Sequence, residues 1–208
     1  SIVELAPGHL PSLRALETHA MERGEDAELA RVEEAMARHL TAPDDVAGHL
    51  LLAARMRLLP SDASGDAADP LLLELADGAG FDLGLARRIA AAAAVGGDHA
   101  RVARLGRDIA KHFDDPMERV SLLLDASLAL SKAEGPAKAA EVLRSAAYAA
   151  EGHPTAGATL AELYEAAEDW TEASEAYELA ARSTRLPSRA AAMWHAAGVL
   201  WQERPNDT

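Results

Sequence analysis

The 208-residue chain has no cysteine. Disulfides and thiolate metal sites are therefore excluded, and a reducing compartment, most simply the cytoplasm, is the expectation. Aromatic residues make up only 4%, so a few large side chains cannot fill a core. Closely approaching helices rich in Ala and Leu have to supply the buried volume. Basic residues are in deficit: 20 Lys and Arg stand against 34 Asp and Glu, a net charge of −14. That balance opposes phosphate backbones and anionic lipid surfaces, which removes nucleic acid and membrane from the expected partners. No apolar stretch approaches the roughly 18 residues of a membrane span, residues 89–95 being short and mostly Ala. No signal peptide is visible, although a removed one leaves no trace. Strand signals are scarce too, since the one β-like run, residues 71–75, is short and sits behind Pro70. The fold class is all-α, and a chain of this length is read as one domain or one solenoid segment.

What the chain does have is regular punctuation. Pro43, Pro116, Pro154 and Pro187 each open an apolar-periodic run, a position where the missing N–H would have no intrahelical partner anyway. Gly24, Gly97 and Gly135 separate successive runs, where left-handed backbone costs a glycine little. Together these signals predict eleven helices, at roughly 10–23, 25–40, 44–59, 70–79, 82–95, 98–113, 116–133, 136–150, 154–167, 170–184 and 187–204.

Near the end of the chain Trp194, Ala197, Gly198 and Trp201 are spaced as W-x₂-A-G-x₂-W, similar to the W-x₂-L-G-x₂-Y that opens a tetratricopeptide repeat. Directly before it, Leu160, Ala161, Tyr164, Asp169, Trp170, Ala173, Tyr177 and Ala180 fall at the spacing of a full repeat. A shift of 34, the family's period, places Ala126, Ser127 and Leu130 under the first three, and Ala139, Leu143 and Ala146 under Ala173, Tyr177 and Ala180. The chain thus resembles the tetratricopeptide family, of a divergent bacterial type, most strongly over residues 154–204. The resemblance implies a right-handed superhelix of antiparallel helix pairs, about five pairs and a terminal helix over residues 1–208. An acidic insertion at 61–69 interrupts the second pair, and Gly157 to Trp194 spans 37 residues, so the superhelix is not expected to be uniform. Residues 2–7 look like the closing turn of a second helix and residues 194–203 like an opening helix, as in a piece of a longer array. By resemblance Trp194 and Tyr177 fill helix interfaces, whereas Trp201 is exposed or lies in a contact between chains.

Chemistry is sparse. Asp62, Ser64 and Asp66 alternate as at the start of a calcium loop, but Ala67 stands where the turn needs Gly and Leu73 where a bidentate carboxylate belongs, so a solvated acidic loop is the reading. The eight histidines form no H-E-x-x-H and no close helical pair, and surface positions suit them. No G-x-S-x-G or P-loop is present, and the glycines at 78, 80 and 84 follow a helix rather than a strand. Carboxylate pairs such as Glu33-Glu34, Asp44-Asp45 and Asp114-Asp115 read as surface or capping charge. No catalytic residue, metal or cofactor is expected.

A partner would sit, by resemblance, in an inner groove lined by first-helix residues two before and two after each central small pair. That nominates Arg14 and Thr18, Gly48 and Leu52, Arg87 and Ala91, Leu124 and Leu128, Ala158 and Glu162, and His195 and Val199, with Arg55 and Lys132 a turn further on. Trp201 is added as a contact at the array's edge. Arginines there either grip a carboxylate of an incoming peptide or form surface ion pairs of little worth. The Lys/Asn clamp of chaperone-tail receptors is missing, since the only Asn is Asn206. The expected function is a non-catalytic scaffold that binds a peptide or helix of a partner protein. The alternative is a self-assembling module, with weak homodimerisation through residues 187–204; an enzyme ranks third.

Overall fold

The computed structural model describes residues 8–58, 69–78, 81–94, 97–153 and 155–203, and among these every regular element is an α-helix. Eleven follow one another: α1 (Leu10–Arg23), α2 (Asp26–Ala37), α3 (Pro43–Leu58), α4 (Asp69–Asp77), α5 (Leu83–Ala93), α6 (His99–Ala110), α7 (Pro116–Glu134), α8 (Pro136–Ala149), α9 (Ala156–Ala166), α10 (Trp170–Ser183) and α11 (Pro187–Glu203). The expected helices coincide with these to within a few residues at each end. The β-like run 71–75 lies inside α4, where Leu71, Leu72 and Leu75 are buried at helical spacing. Residues 2–7, all of the 61–69 insertion except Asp69, and Pro154 lie outside the described residues.

The helix boundaries follow from local chemistry. Pro43, Pro116 and Pro187 each open a helix, as does Pro136. Carboxylates cap other starts: Asp82 accepts from the backbone N–H of Leu85 at 2.7 Å, Asp115 from that of Met117 at 3.1 Å, and Asp169 from that of Glu172 at 3.2 Å. Each satisfies a donor that the first helical turn leaves unpaired. Gly24 ends α1 at φ 65°, a left-handed conformation that other residues adopt only under strain.

The chain divides into two compact units, Ser1–Arg101 and Val102–Thr208. In the first, α1 packs on α2, α2 on α3, α3 on α4 and α4 on α5, and α3 also meets α5. Leu13, near the start of α1, joins Val32 and Met36, near the end of α2, in one buried cluster, so the pair is antiparallel. Ala53 and Ala54 on α3 and Ala86, Ile89 and Ala93 on α5 have no exposed surface. Small residues there let helix axes approach closely.

In the second unit α7 packs on α8, α8 on α9, α9 on α10 and α10 on α11, and α7 also meets α9. Backbones come very close at Gly157 of α9, where a methyl group would lie 2.7 Å from the backbone nitrogen of Ala180. Leu160, Ala161, Tyr164, Ala173 and Ala180 are buried, as the repeat resemblance implies. Tyr177 is half-buried and its hydroxyl donates to Glu165 Oε2 at 3.0 Å. Trp194 departs from expectation: it is 46% exposed and does not fill an interface. Among the described residues of α11 only Ala197 is buried, held to α10 where the Ser174 hydroxyl donates to its carbonyl at 3.1 Å. The covered strip is too narrow to enclose an indole one turn away. Within each unit the order of packing, neighbour on neighbour, is consistent with a helical array.

Candidate functional site

In the first unit α3 and α5 run side by side and leave a groove of about 460 Å³, within the usual range of ligand sites, roughly 300–1,000 Å³. Leu51, Leu52, Ala91 and Ala92 form its apolar surface, and Arg55 and Arg88 border it. Both arginines are exposed. Among the described residues no carboxylate lines this groove and neither guanidinium has an ion-pair partner. Towards the N-terminal ends of the same two helices a smaller cavity of about 220 Å³ continues past Arg88 to Asp44 and Asp82.

Four of the nominated residues, Gly48, Leu52, Arg55 and Ala91, therefore meet in one place. Arg87 is exposed on α5 but the groove is bordered by its neighbour Arg88. A helix turns about 100° per residue, so an error of one position in the frame changes which guanidinium faces inward. In the second unit Ala158 and Glu162 line a cavity of about 220 Å³ between α9 and α11, opposite Arg189 and Met193. The other nominated residues are scattered. Arg14 and Thr18 are exposed on α1, and the Thr18 hydroxyl donates to the Arg14 carbonyl at 3.0 Å. Leu128 is exposed on α7 with Lys132 one turn on, Leu124 and Val199 are half-buried, and His195 and Trp201 are exposed on α11.

Sequence reasoning missed one polar cluster. Glu33 was expected at the surface, yet it has no exposed area and its Oε2 lies 2.5 Å from Nδ1 of His49. Its second oxygen, Oε1, is buried with no hydrogen-bond donor. Burial pushes the Glu33 carboxyl up from the ordinary carboxylate value, His49 opposes the rise, and the nearby Glu17 adds to it. Glu34 is also partly buried and accepts from Arg57 at 2.6 Å. The signal was in the spacing: Leu29, Val32 and Met36 form the buried stripe of α2, and Glu33 falls inside it. Among the described residues no three His, Asp or Glu side chains group as metal ligands, and no helix is long and apolar enough to cross a membrane.

Compared with family models, curated proteins and solved structures, the chain matches none.

Proposed function

We propose that the protein is a non-catalytic interaction module, built as a tetratricopeptide-like array of antiparallel helix pairs, that holds a segment of a partner protein in the α3–α5 groove. The observation that carries the reading is the convergence of Gly48, Leu52, Arg55 and Ala91 on that groove. Repeat register alone nominates all four. An apolar floor bordered by donors that form no ion pair among the described residues suits the recognition of a peptide better than it suits chemistry, for which the sequence supplies no nucleophile and no metal motif.

The test is affinity capture with the whole chain as bait, followed by titration of each captured protein in purified form. A direct, saturable complex is the expected result, weakened by substitutions at Leu52 and Arg55. If no captured protein binds saturably, the reading fails. A thermal-shift panel with calcium, zinc, nucleotides and NAD is expected to show no stabilisation, because a ligand of the native state must raise its stability.

A second reading, self-assembly, is favoured by Trp194 and Trp201, which stand 46% and 48% exposed on α11. Exposed indoles on one helix are a common basis for contact between chains.

A further inference from the structure

We infer that the α3–α5 cleft takes its peptide in one orientation, with a carboxylate of the peptide between Arg55 and Arg88 and an apolar side chain over Leu52 and Ala91. This rests on the protein-binding reading above and specifies the chemistry of the partner.

The direction comes from how charge is laid out along the cleft. Pro43 and Asp44 of α3 lie across from Asp82 and Gly84 of α5, whereas Leu52 and Arg55 lie across from Arg88 and Ala91. The two helices are therefore parallel, and position along the cleft follows residue number. Both carboxylates stand at the end where the helices begin, Arg88 borders both cavities, and Arg55 stands at the far end. Asp82 Oδ1 accepts from the N–H of Leu85 at 2.7 Å, and Arg88 has no ion-pair partner among the described residues.

Among the described residues the Arg55 end of the cleft holds no carboxylate. The chain carries 34 acidic side chains against 20 basic ones, and several arginines pair with them, as Arg57 does with Glu34 at 2.6 Å and Arg144 with Glu172 at 3.0 Å. Leu52 and Ala91, between the guanidiniums of Arg55 and Arg88, supply apolar area. An occupant with both an acidic and an apolar group satisfies the whole surface, and Arg binds a carboxylate bidentately, which fixes orientation as well as affinity. A basic segment would meet Arg55 and Arg88 in repulsion, and a reversed acidic one would meet Asp44 and Asp82.

The probe is a displayed library of random octapeptides selected against the full chain. Selected peptides are expected to share an Asp or Glu beside Leu, Ile, Met or Phe. Their binding should fall at least tenfold in the double variant Arg55→Gln/Arg88→Gln, and Arg55→Glu/Arg88→Glu should turn selection towards Lys and Arg. Circular dichroism and thermal midpoints establish that the variants fold, as exposed arginines permit. A photo-crosslinker at the acidic end of a selected peptide should label residues near Arg55, and one at the other end residues near Asp44. Labelling in the reverse sense, or peptides without an acid, overturns the proposal. Peptides that bind the double Gln variant equally well overturn it while leaving the interaction reading intact, and a library that enriches nothing removes both.

Discussion

Glu33, with no solvent exposure, sets its Oε2 2.5 Å from Nδ1 of His49 across the contact of α2 with α3. The imidazole is 29% exposed, so one member of the pair reaches water and the other does not. Glu17, on α1, approaches the same carboxyl. Three successive helices thus meet at one buried acid, and the protonation of that acid is tied to their packing. Removing a charge from water is costly unless partners compensate, and here a second carboxylate stands close by.

Stability is predicted to depend on pH through Glu33. Burial, opposed by His49 and reinforced by Glu17, raises the folded-state pKa of its carboxyl. Between the unfolded and folded values the native chain binds more protons, so the contribution is full below the ordinary Glu pKa of about 4.3 and is lost as pH rises through the folded value. Relative to Glu33→Gln, which keeps an acceptor for His49 but carries no charge, the wild type should lose stability as pH is raised from 4 towards 7. Urea midpoints of both proteins across that range measure it. A gap that does not change with pH, or one that changes in the wild type's favour, contradicts the prediction.

Two glycine-to-alanine substitutions should act in opposite directions. At Gly157 the added methyl would lie 2.7 Å from the nitrogen and 2.9 Å from the Cα of Ala180, backbone atoms that cannot swing aside. We expect Gly157→Ala to destabilise by about 1–3 kcal/mol, although alanine is intrinsically the better helix former by about 1 kcal/mol. At Gly198 of α11 an added methyl meets nothing within 4 Å, so Gly198→Ala should gain about 0.5–1 kcal/mol. Denaturant midpoints decide both, and a Gly157→Ala variant as stable as the wild type or more so would mean that α9 and α10 do not approach as closely as described.

How far the sequence could be read depended on whether a feature was set by local or by long-range contacts. Pro43, Pro116 and Pro187 marked helix starts because their effect on φ and on hydrogen bonding is local, and each opens a helix. Gly24, Gly97 and Gly135 marked turns and take positive φ. Leu160, Ala161 and Ala173 were legible as core because apolar residues at helical spacing must face a neighbour. Trp194 was misread because its burial depends on a covering element and not on its own helix; Arg88, next to the nominated Arg87, borders the groove, and a repeat frame with few identities leaves the register open by a residue. Glu33 was hidden by its neighbour Glu34, since a charged pair in sequence looks solvated unless the stripe of Leu29, Val32 and Met36 is traced through it.

The turn between α9 and α10 holds Glu168 at φ 61°, in the left-handed region that crowds a side chain's Cβ against the backbone. Glu168 is exposed and precedes the cap residue Asp169, so the conformation is fixed by the turn and not by side-chain contacts. Glu168→Gly should stabilise the second unit by about 0.5–1 kcal/mol, and Glu168→Val, which is branched at Cβ, should destabilise it. Thermal or denaturant midpoints check the pair. Equal midpoints for the glycine and valine variants would show that the residue does not occupy a left-handed conformation.

The self-assembly reading makes a prediction about α11. Trp194 and Trp201 are two helical turns apart, so their indoles lie on the same side of the helix, and they are 46% and 48% exposed. A symmetric contact between two chains would bury four half-exposed indoles, on the order of 400 Å² of apolar area, or about 10 kcal/mol at about 25 cal/mol per Å². Association opposes this with about 4–15 kcal/mol of lost translational, rotational and side-chain freedom, so the two terms nearly cancel and any dimer is weak. The expected result is a weight-average mass that rises with concentration in sedimentation, through residues 187–204, in an isologous arrangement. Trp201→Glu should abolish that rise while helicity by circular dichroism is unchanged, because Trp201 contributes little to the packing of α11 on α10. A wild type that stays monomeric over the whole concentration range rules the dimer out and leaves the two indoles as contacts for a different protein.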